Sequence, residues 1–109
     1  MKTFQFTSKW LSNEDGTVEV GAYRDGSIAL RLRAINGEPL SMPTVNLEDY
    51  GEKPQPGCVF VRDYSETEGL YDSLYTNGIV GEKIRTVNFG HGKAYECRFT
   101  LPREHYTLL

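Results

Sequence analysis

The chain has 109 residues, of which 39% are hydrophobic and 25% are charged. This is the composition of one globular domain, here spanning residues 1–109, with enough chain to bury a core without disulfides or metals. No apolar run approaches the ~20 residues that a transmembrane helix needs. The first residues alternate apolar and polar side chains instead of forming a signal-peptide core. We therefore expect a cytoplasmic protein without membrane contact.

The net charge of −3 is unevenly distributed. Residues 48–72 carry seven acidic side chains against two basic ones. Such a segment is usually a solvated face, and acids near the start of a helix are ordinary. As a functional feature it would face a basic partner, including a nucleic-acid-binding protein that the chain blocks by mimicking DNA. Direct binding of nucleic acid is disfavoured because no basic stripe is present.

In chain order, the first half predicts antiparallel strands joined by tight turns. Residues 3–7 and 17–23 alternate apolar and polar side chains, as half-buried strands do. Asp25-Gly26 favours a tight hairpin turn, and residues 28–32 alternate again as the returning strand. Asn36-Gly37 predicts a second hairpin. Together these features predict a β-meander.

The middle of the chain predicts a long loop and then a buried strand. Residues 48–57 are polar and contain two prolines, which favours a loop. Just before them, Val45 and Leu47 suggest a brief strand. Cys58-Val59-Phe60-Val61 is a short continuous apolar run, which predicts a central strand covered on both faces.

One stretch has the pattern of a helix, with both a start and a stop signal. Ser65 and Glu68 have the spacing of a capping box, in which each side chain bonds a backbone N–H of the other residue. Asn77-Gly78 supplies the left-handed residue that closes a helix, with Ile79 packing back on it. These signals predict one helix of ~11–13 residues. Its apolar stripe, which would lie on the sheet, consists of Leu70, Tyr71, Leu74 and Tyr75.

After the helix, strands are predicted at 79–80, 84–89 and 94–101. Between the last two, Gly90-His91-Gly92-Lys93 superficially resembles a phosphate-binding loop. That loop requires a glycine five positions before its last glycine and Ser or Thr after the lysine, where this chain has Val87 and Ala94. A hairpin turn explains the two glycines without a ligand.

Catalytic and metal-binding patterns are weak. Cys58 and Cys97 lie in apolar strands, where a thiolate is disfavoured. We expect both to be buried and reduced, although adjacent strands could also join them in a disulfide. His91 and His105 are the candidate bases or zinc ligands, but no CxxC or HxxxH spacing accompanies them. We therefore expect no enzymatic activity, no metal and no cofactor.

The run from Val59 to Val80 resembles a family of small uncharacterised bacterial and phage proteins. That family carries a V-x-N-Y-S-E-N-E-G signature before a short helix that ends in A-G-[IL]-V. The matching positions of the signature are Tyr64, Ser65, Glu66, Glu68 and Gly69. Asp63 and Thr67 stand where the family often has Asn. The resemblance implies an accessory protein of a phage, plasmid or conjugative element, and it brings no assigned activity.

Some signature positions have a structural explanation and others do not. Ser65, Glu68 and Gly78 are assigned to the caps of the predicted helix. That leaves three candidate binding residues, namely Tyr64, Glu66 and Gly69.

The expected fold is α+β, a mostly antiparallel meander with one capped helix packed on it. The expected function is that of a non-enzymatic accessory protein of a bacterial mobile element or phage. It would act through contacts with a protein partner and could interfere with a host system. The alternative is a small-molecule or nucleotide-binding module whose ligand lies at the helix start near Ser65.

Overall fold

Eight strands form two mostly antiparallel sheets, and one short helix, α1 (Leu70–Thr76), packs between them. The computed structural model describes residues 2–109. The strands are β1 (Phe4–Phe6), β2 (Glu14–Ala22), β3 (Ile28–Ala34), β4 (Pro39–Ser41), β5 (Cys58–Arg62), β6 (Val80–Phe89), β7 (Gly92–Phe99) and β8 (Thr107–Leu108). Single 3-10 turns occur at Glu48–Tyr50, Ser65–Thr67 and Arg103–His105. With 44% strand and 15% helix in one compact domain, the α+β prediction is confirmed.

The first sheet has the strand order β1-β2-β3-β4, with β8 added in parallel to β2. Val18 faces Leu32 and Val20 faces Leu30, which places the apolar side of the hairpin inward as its alternation predicts. The Asp25-Gly26 turn is confirmed, with Gly26 in the left-handed region at φ 86°. The Asn36-Gly37 turn between β3 and β4 is confirmed by the bond from the Gly37 N–H to the Ala34 carbonyl, at 2.9 Å.

The second sheet has the order β5-β7-β6, so the prediction that β5 is a central strand is wrong. Both of its faces are nevertheless buried, which is why its sequence is continuously apolar. Its outer edge is covered by the preceding segment, where Thr44 pairs with Val61 and the Val45 N–H donates to the Phe60 carbonyl at 3.1 Å. These contacts take the place of a strand at 45–47.

The two sheets enclose the main core, and a smaller cluster lies behind the second sheet. The main core takes Val18 and Leu32 from the first sheet, Val59 and Cys97 from the second, and Leu74 from the helix. The smaller cluster consists of Leu47, Phe60, Val87 and Ala94. Leu47, which is 1% exposed and directly precedes the long loop, therefore holds the start of this loop on the back of the second sheet.

The helical segment spans 12 residues, but only α1 is α-helical and its predicted start is wrong. A 3-10 turn at Ser65–Thr67 comes first. Gly69, in the left-handed region at φ 84°, separates this turn from the α-helix, which begins at Leu70. Ser65 itself has φ 55°, a conformation that an N-cap residue does not adopt. Ser65 and Glu68 therefore form no capping box on α1.

The predicted helix end is confirmed at Gly78, which has φ 73°. The Gly78 N–H donates to the Tyr75 carbonyl and the Ile79 N–H to the Leu74 carbonyl, both at 3.0 Å. This pair of bonds is a Schellman motif. Of the predicted apolar stripe, Leu70, Tyr71 and Leu74 are buried, whereas Tyr75 is 46% exposed and stacks on Tyr71.

The helix is tied to both sheets by polar bonds. Ser73 Oγ accepts the Thr7 N–H at 3.1 Å, and Asn77 donates to the Gln5 carbonyl at 2.9 Å, which joins α1 to β1 and the residue after it. The Tyr71 hydroxyl donates to the Gly81 carbonyl of β6 at 2.7 Å. Within residues 2–109 there is no helix long and apolar enough to cross a bilayer.

Candidate functional site

Tyr64 leads from β5 into the 3-10 turn at Ser65–Thr67, and its ring packs against Gly92. A Cβ at Gly92 would be only 2.7 Å from Tyr64 Cδ1, so the ring occupies the space that a larger residue would fill. The Phe89 ring meets the Tyr64 ring edge-on at 5.7 Å between centroids. The Arg62 guanidinium lies over the Tyr64 ring at 5.6 Å. The candidate binding residue Tyr64 is thus half-buried at the tip of the β6–β7 hairpin.

Tyr50 reaches the same hairpin from the 3-10 turn at Glu48–Tyr50. Its ring meets Phe89 edge-on at 5.6 Å between centroids, and its hydroxyl would be 3.4 Å from a Cβ at Gly90. Tyr50 remains 57% exposed. We call Tyr50, Tyr64 and Phe89 the aromatic surface, since three separate parts of the chain meet there.

Exposed carboxylates lie in the two turns that carry the tyrosines. Glu48 and Asp49 form the first turn with Tyr50, and Glu66 follows Tyr64 in the other. The pKa of Glu66 is lowered by a bond from its own backbone N–H and by the Ser65 hydroxyl, with a smaller contribution from Arg62, whose Nη2 is 3.4 Å away. We call Glu48, Asp49 and Glu66 the acidic rim. Three of the seven acids of residues 48–72 thus form the acidic rim, whereas Glu52, Asp63 and Glu68 lie beside basic side chains.

Gly69 does not reach the aromatic surface, and its conformation explains its identity. Its φ of 84° favours glycine, and its N–H donates to Asp63 Oδ1 at 3.2 Å. The other oxygen of Asp63 accepts the Tyr95 hydroxyl at 2.5 Å and lies 3.9 Å from Lys93 Nζ. Asp63 therefore connects the start of α1 to β7.

The remaining signature residues hold the turn to the N-terminal segment. The Glu68 carboxylate lies 3.5 Å from Lys9 Nζ, with both side chains 59% exposed. The Lys9 N–H donates to the Glu68 carbonyl at 2.9 Å, and the Ser8 hydroxyl donates to the Glu66 carbonyl at 3.3 Å. Thr67 is fully buried, and its hydroxyl donates to the Tyr64 carbonyl at 2.9 Å. The signature thus forms a turn that is held by contacts with Ser8 and Lys9 and by a hydrogen bond within the turn itself.

Reasoning from sequence missed Tyr50, Phe89 and Gly92 as parts of this surface. Phe89 and Gly92 lie at the predicted glycine-rich turn, but no sequence pattern there or around Tyr50 indicates contact with Tyr64. Nothing local indicates which face of the hairpin Tyr64 would cover. Asp63, noted only as a departure from the signature, has a structural role that depends on Tyr95 and Lys93.

The two cysteines are free and buried. Cys58 is opposite Arg98 and Cys97 is opposite Val59, so the two thiols lie on opposite faces of the second sheet and form no disulfide. Burial raises the pKa of Cys58, and it raises that of Cys97 to about 12. Neither thiol has the character of a nucleophile.

The histidines are far less buried. His91 is exposed at the hairpin tip, and His105 Nε2 lies 3.9 Å from Glu104. Nowhere in residues 2–109 do three or more His, Cys, Asp or Glu side chains come together as a metal site. The chemistry that this region offers is therefore contact by aromatic rings and carboxylates.

Comparison with protein-family models, curated proteins and solved structures finds no match to this chain.

Proposed function

We propose that the protein is a non-enzymatic accessory protein of a bacterial mobile element or phage, and that it binds a protein partner through the aromatic surface and its acidic rim. The observation that carries the binding surface is the contact of both Tyr50 and Tyr64 with Phe89, at 5.6 and 5.7 Å between ring centroids. The mobile-element context rests on the resemblance at Tyr64–Gly69.

Aromatic residues that are fixed in place yet accessible suit a protein interface. Tyr and Trp provide a large contact area with few rotatable bonds, and they are enriched among the residues that dominate binding energy. Tyr50 has 57% of its surface exposed, and its ring position is set by Phe89. Little further ordering is needed when such a side chain is covered, which favours affinity.

The charge of the rim favours a basic partner. Glu48, Asp49 and Glu66 are all exposed. Glu66 is the one with a nearby cation, Arg62, at 3.4 Å. A partner that presents Lys or Arg would gain electrostatic steering and specificity from these carboxylates. Proteins that bind nucleic acid present such surfaces, so interference with a host nucleic-acid-binding protein is the form of activity we favour.

The alternative, a ligand at the helix start near Ser65, draws little support from this geometry. The α-helix begins five residues later, at Leu70, and the Gly69 N–H already donates to Asp63. The Glu66 carboxylate beside Ser65 would also repel a phosphate or carboxylate.

The test is a pull-down of partners from bacterial lysate with the wild-type chain and matched variants, followed by a titration with the purified partner. Tyr50→Ala should weaken binding by about 30-fold or more, as a central aromatic contact does. Trp10→Ala is the control, because Trp10 is an aromatic residue that is 68% exposed elsewhere. Equal binding by both variants would contradict the proposed surface.

A second pair of variants examines the rim. Asp49→Lys should weaken binding, and the loss should shrink at high salt because exposed charges are screened. Glu104→Lys is the control at another exposed carboxylate, with a side chain 79% exposed. A partner whose binding is insensitive to salt and to Asp49→Lys would show that the rim takes no part. The genes that flank the coding sequence would independently test the mobile-element context.

A further inference from the structure

A cleft of about 490 Å³ lies between the β2–β3 turn and the loop before β5, on a part of the surface distinct from the aromatic surface. One wall is formed by residues 25–28 and the other by residues 53–58. Its volume falls in the range of small-molecule sites. We propose that this cleft binds a small molecule with an apolar body and one anionic group, such as an aromatic carboxylate.

The first wall is a rigid turn. The Asp25 carboxylate accepts the Ser27 N–H at 3.0 Å and the Ser27 hydroxyl at 2.6 Å. The Tyr23 N–H donates to the Ser27 carbonyl at 2.8 Å, and the Gly26 N–H donates to the Tyr23 carbonyl at 2.9 Å. The polar groups of Asp25 and Ser27 are therefore engaged with each other.

The second wall is held from beneath by a buried carboxylate. Glu96 of β7 is 1% exposed, and its Oε2 accepts the Gln55 N–H at 2.8 Å. Its Oε1 accepts a bond from Arg85 Nε at 2.6 Å. The Gln55 carbonyl in turn accepts the Cys58 N–H at 2.9 Å. A buried charge is costly unless it is paired, and here it fixes the wall of the cleft, which lowers the ordering cost of binding.

The lining of the cleft is apolar apart from the charged side chains at its edge. Ile28, Pro54, Pro56 and Cys58 contribute hydrocarbon or sulfur. Burial raises the pKa of the Cys58 thiol, so this side chain is neutral and behaves as a small apolar group. These surfaces would cover the apolar body of a ligand and could not satisfy its polar groups.

Basic side chains at the edge of the cleft supply the charge that selects an anionic ligand. Lys53 is part of the lining, and the acid that it faces is Asp25, whose pKa it helps to lower after the hydrogen bonds from Ser27. Arg98 adds a second cation beside the cleft, since its Nη1 would be 3.9 Å from a Cβ at Gly57. Asp25 is the acid in the lining, and its charge is already hydrogen-bonded within the turn. Lys53 and Arg98 outnumber this carboxylate, so an anionic group on the ligand would balance the excess positive charge.

The experiment uses 1-naphthoate as the anionic probe and 1-naphthamide as its neutral isostere, each titrated into the full chain while backbone amide shifts are followed by NMR. We expect saturable shifts at Gly26, Ser27, Gly57 and Cys58 with naphthoate. Naphthamide should bind about tenfold more weakly, because it lacks the charge-assisted bond to Lys53.

Lys53→Gln should weaken naphthoate binding by about tenfold and leave naphthamide binding unchanged. Lys9→Gln is the control at a lysine that is 59% exposed elsewhere, and it should change neither. The proposal is overturned if naphthoate shifts no cleft amide at millimolar concentration, or if it binds Lys53→Gln as tightly as wild type. Both variants alter exposed side chains, so their fold is retained.

Discussion

The ring of Tyr64 lies on Gly92 so closely that a Cβ there would be 2.7 Å from Tyr64 Cδ1 and 3.0 Å from Cε1. Gly92 begins β7 and Tyr64 follows β5, so the contact joins neighbouring strands across the end of the second sheet. Phe89, which is paired with Gly92 in the sheet, contacts both Tyr64 and Tyr50. Because Gly92 has no side chain, the Tyr64 ring can occupy this position in the aromatic surface.

Gly92→Ala should destabilise the chain by about 1–3 kcal/mol, because the added methyl would lie 2.7 Å from Tyr64 Cδ1 and displace the ring. The measurement is the free energy of unfolding in denaturant. Gly21→Ala is the matched control, since Gly21 also lies in a strand and its Cβ would meet Leu109 at an ordinary 3.7 Å. Adding Tyr64→Ala should recover part of the loss of Gly92→Ala. Independent, additive effects of the two substitutions would contradict the contact.

Gly69→Ala should cost about 1–2 kcal/mol of unfolding free energy, because a Cβ is unfavourable in the left-handed conformation at φ 84°. Gly69→Asn is the informative companion, since Asn tolerates this region better and should cost less. Equal stability of Gly69→Ala and wild type would mean that residue 69 does not adopt the left-handed conformation before α1.

Glu96→Gln should destabilise the chain by about 1–3 kcal/mol. An amide can accept from only one of the two donors, Gln55 N–H and Arg85 Nε, that the carboxylate satisfies now. Amide hydrogen exchange at Gln55 should become faster, and the probe in the adjacent cleft should bind more weakly. Glu104→Gln is the control and should change stability by less than about 0.5 kcal/mol. Unchanged exchange at Gln55 would show that Glu96 does not hold this loop.

Stability should fall at alkaline pH. Burial raises the pKa of Cys97 from its ordinary 9.0 to about 12 and that of Tyr71 from 10.0 to about 12. Because both pKa values are higher in the folded chain, deprotonation favours unfolding. Their contribution is complete below pH 9 and is lost as the pH rises toward 12, by at most about 1.4 kcal/mol per pH unit for each group.

Denaturant unfolding measured from pH 8 upward checks this dependence. Cys97→Ala should reduce the slope from pH 9 upward, and Tyr71→Phe should reduce it from pH 10 upward. Tyr50→Phe, at an exposed ring, is the control, and the slope of this variant should equal that of the wild type. If the slope survives both Cys97→Ala and Tyr71→Phe, other groups cause the alkaline loss.

Features that depend on a few consecutive residues were predictable. The turns at Asp25-Gly26 and Asn36-Gly37 and the helix end at Gly78 each need a left-handed glycine beside a short-range hydrogen bond, so their signal is local. The alternation of β2 and β3 likewise records which side of each strand is buried. These features were enough to indicate an antiparallel α+β domain.

The order of strands and the start of the helix depended on distant partners. A continuous apolar run indicates that β5 is buried on both faces. It does not indicate whether a strand or the segment 43–45 covers the edge of β5. Ser65 and Glu68 have the spacing of a cap, yet contacts with Ser8 and Lys9 and the bond from Gly69 to Asp63 place the helix start later. Local preference is a matter of about 1 kcal/mol, which several tertiary contacts together override.

The candidate surface shows the same division. Sequence alone isolated Tyr64, Glu66 and Gly69, because no local pattern required them. Tertiary structure separates the three, since Gly69 serves the backbone whereas Tyr64 and Glu66 lie at the aromatic surface and its rim. It also adds Tyr50 and Phe89, which only the packing of the long loop on the second sheet brings beside Tyr64. Residue types are local information, whereas their meeting is set by how the two sheets and the loop bury the core.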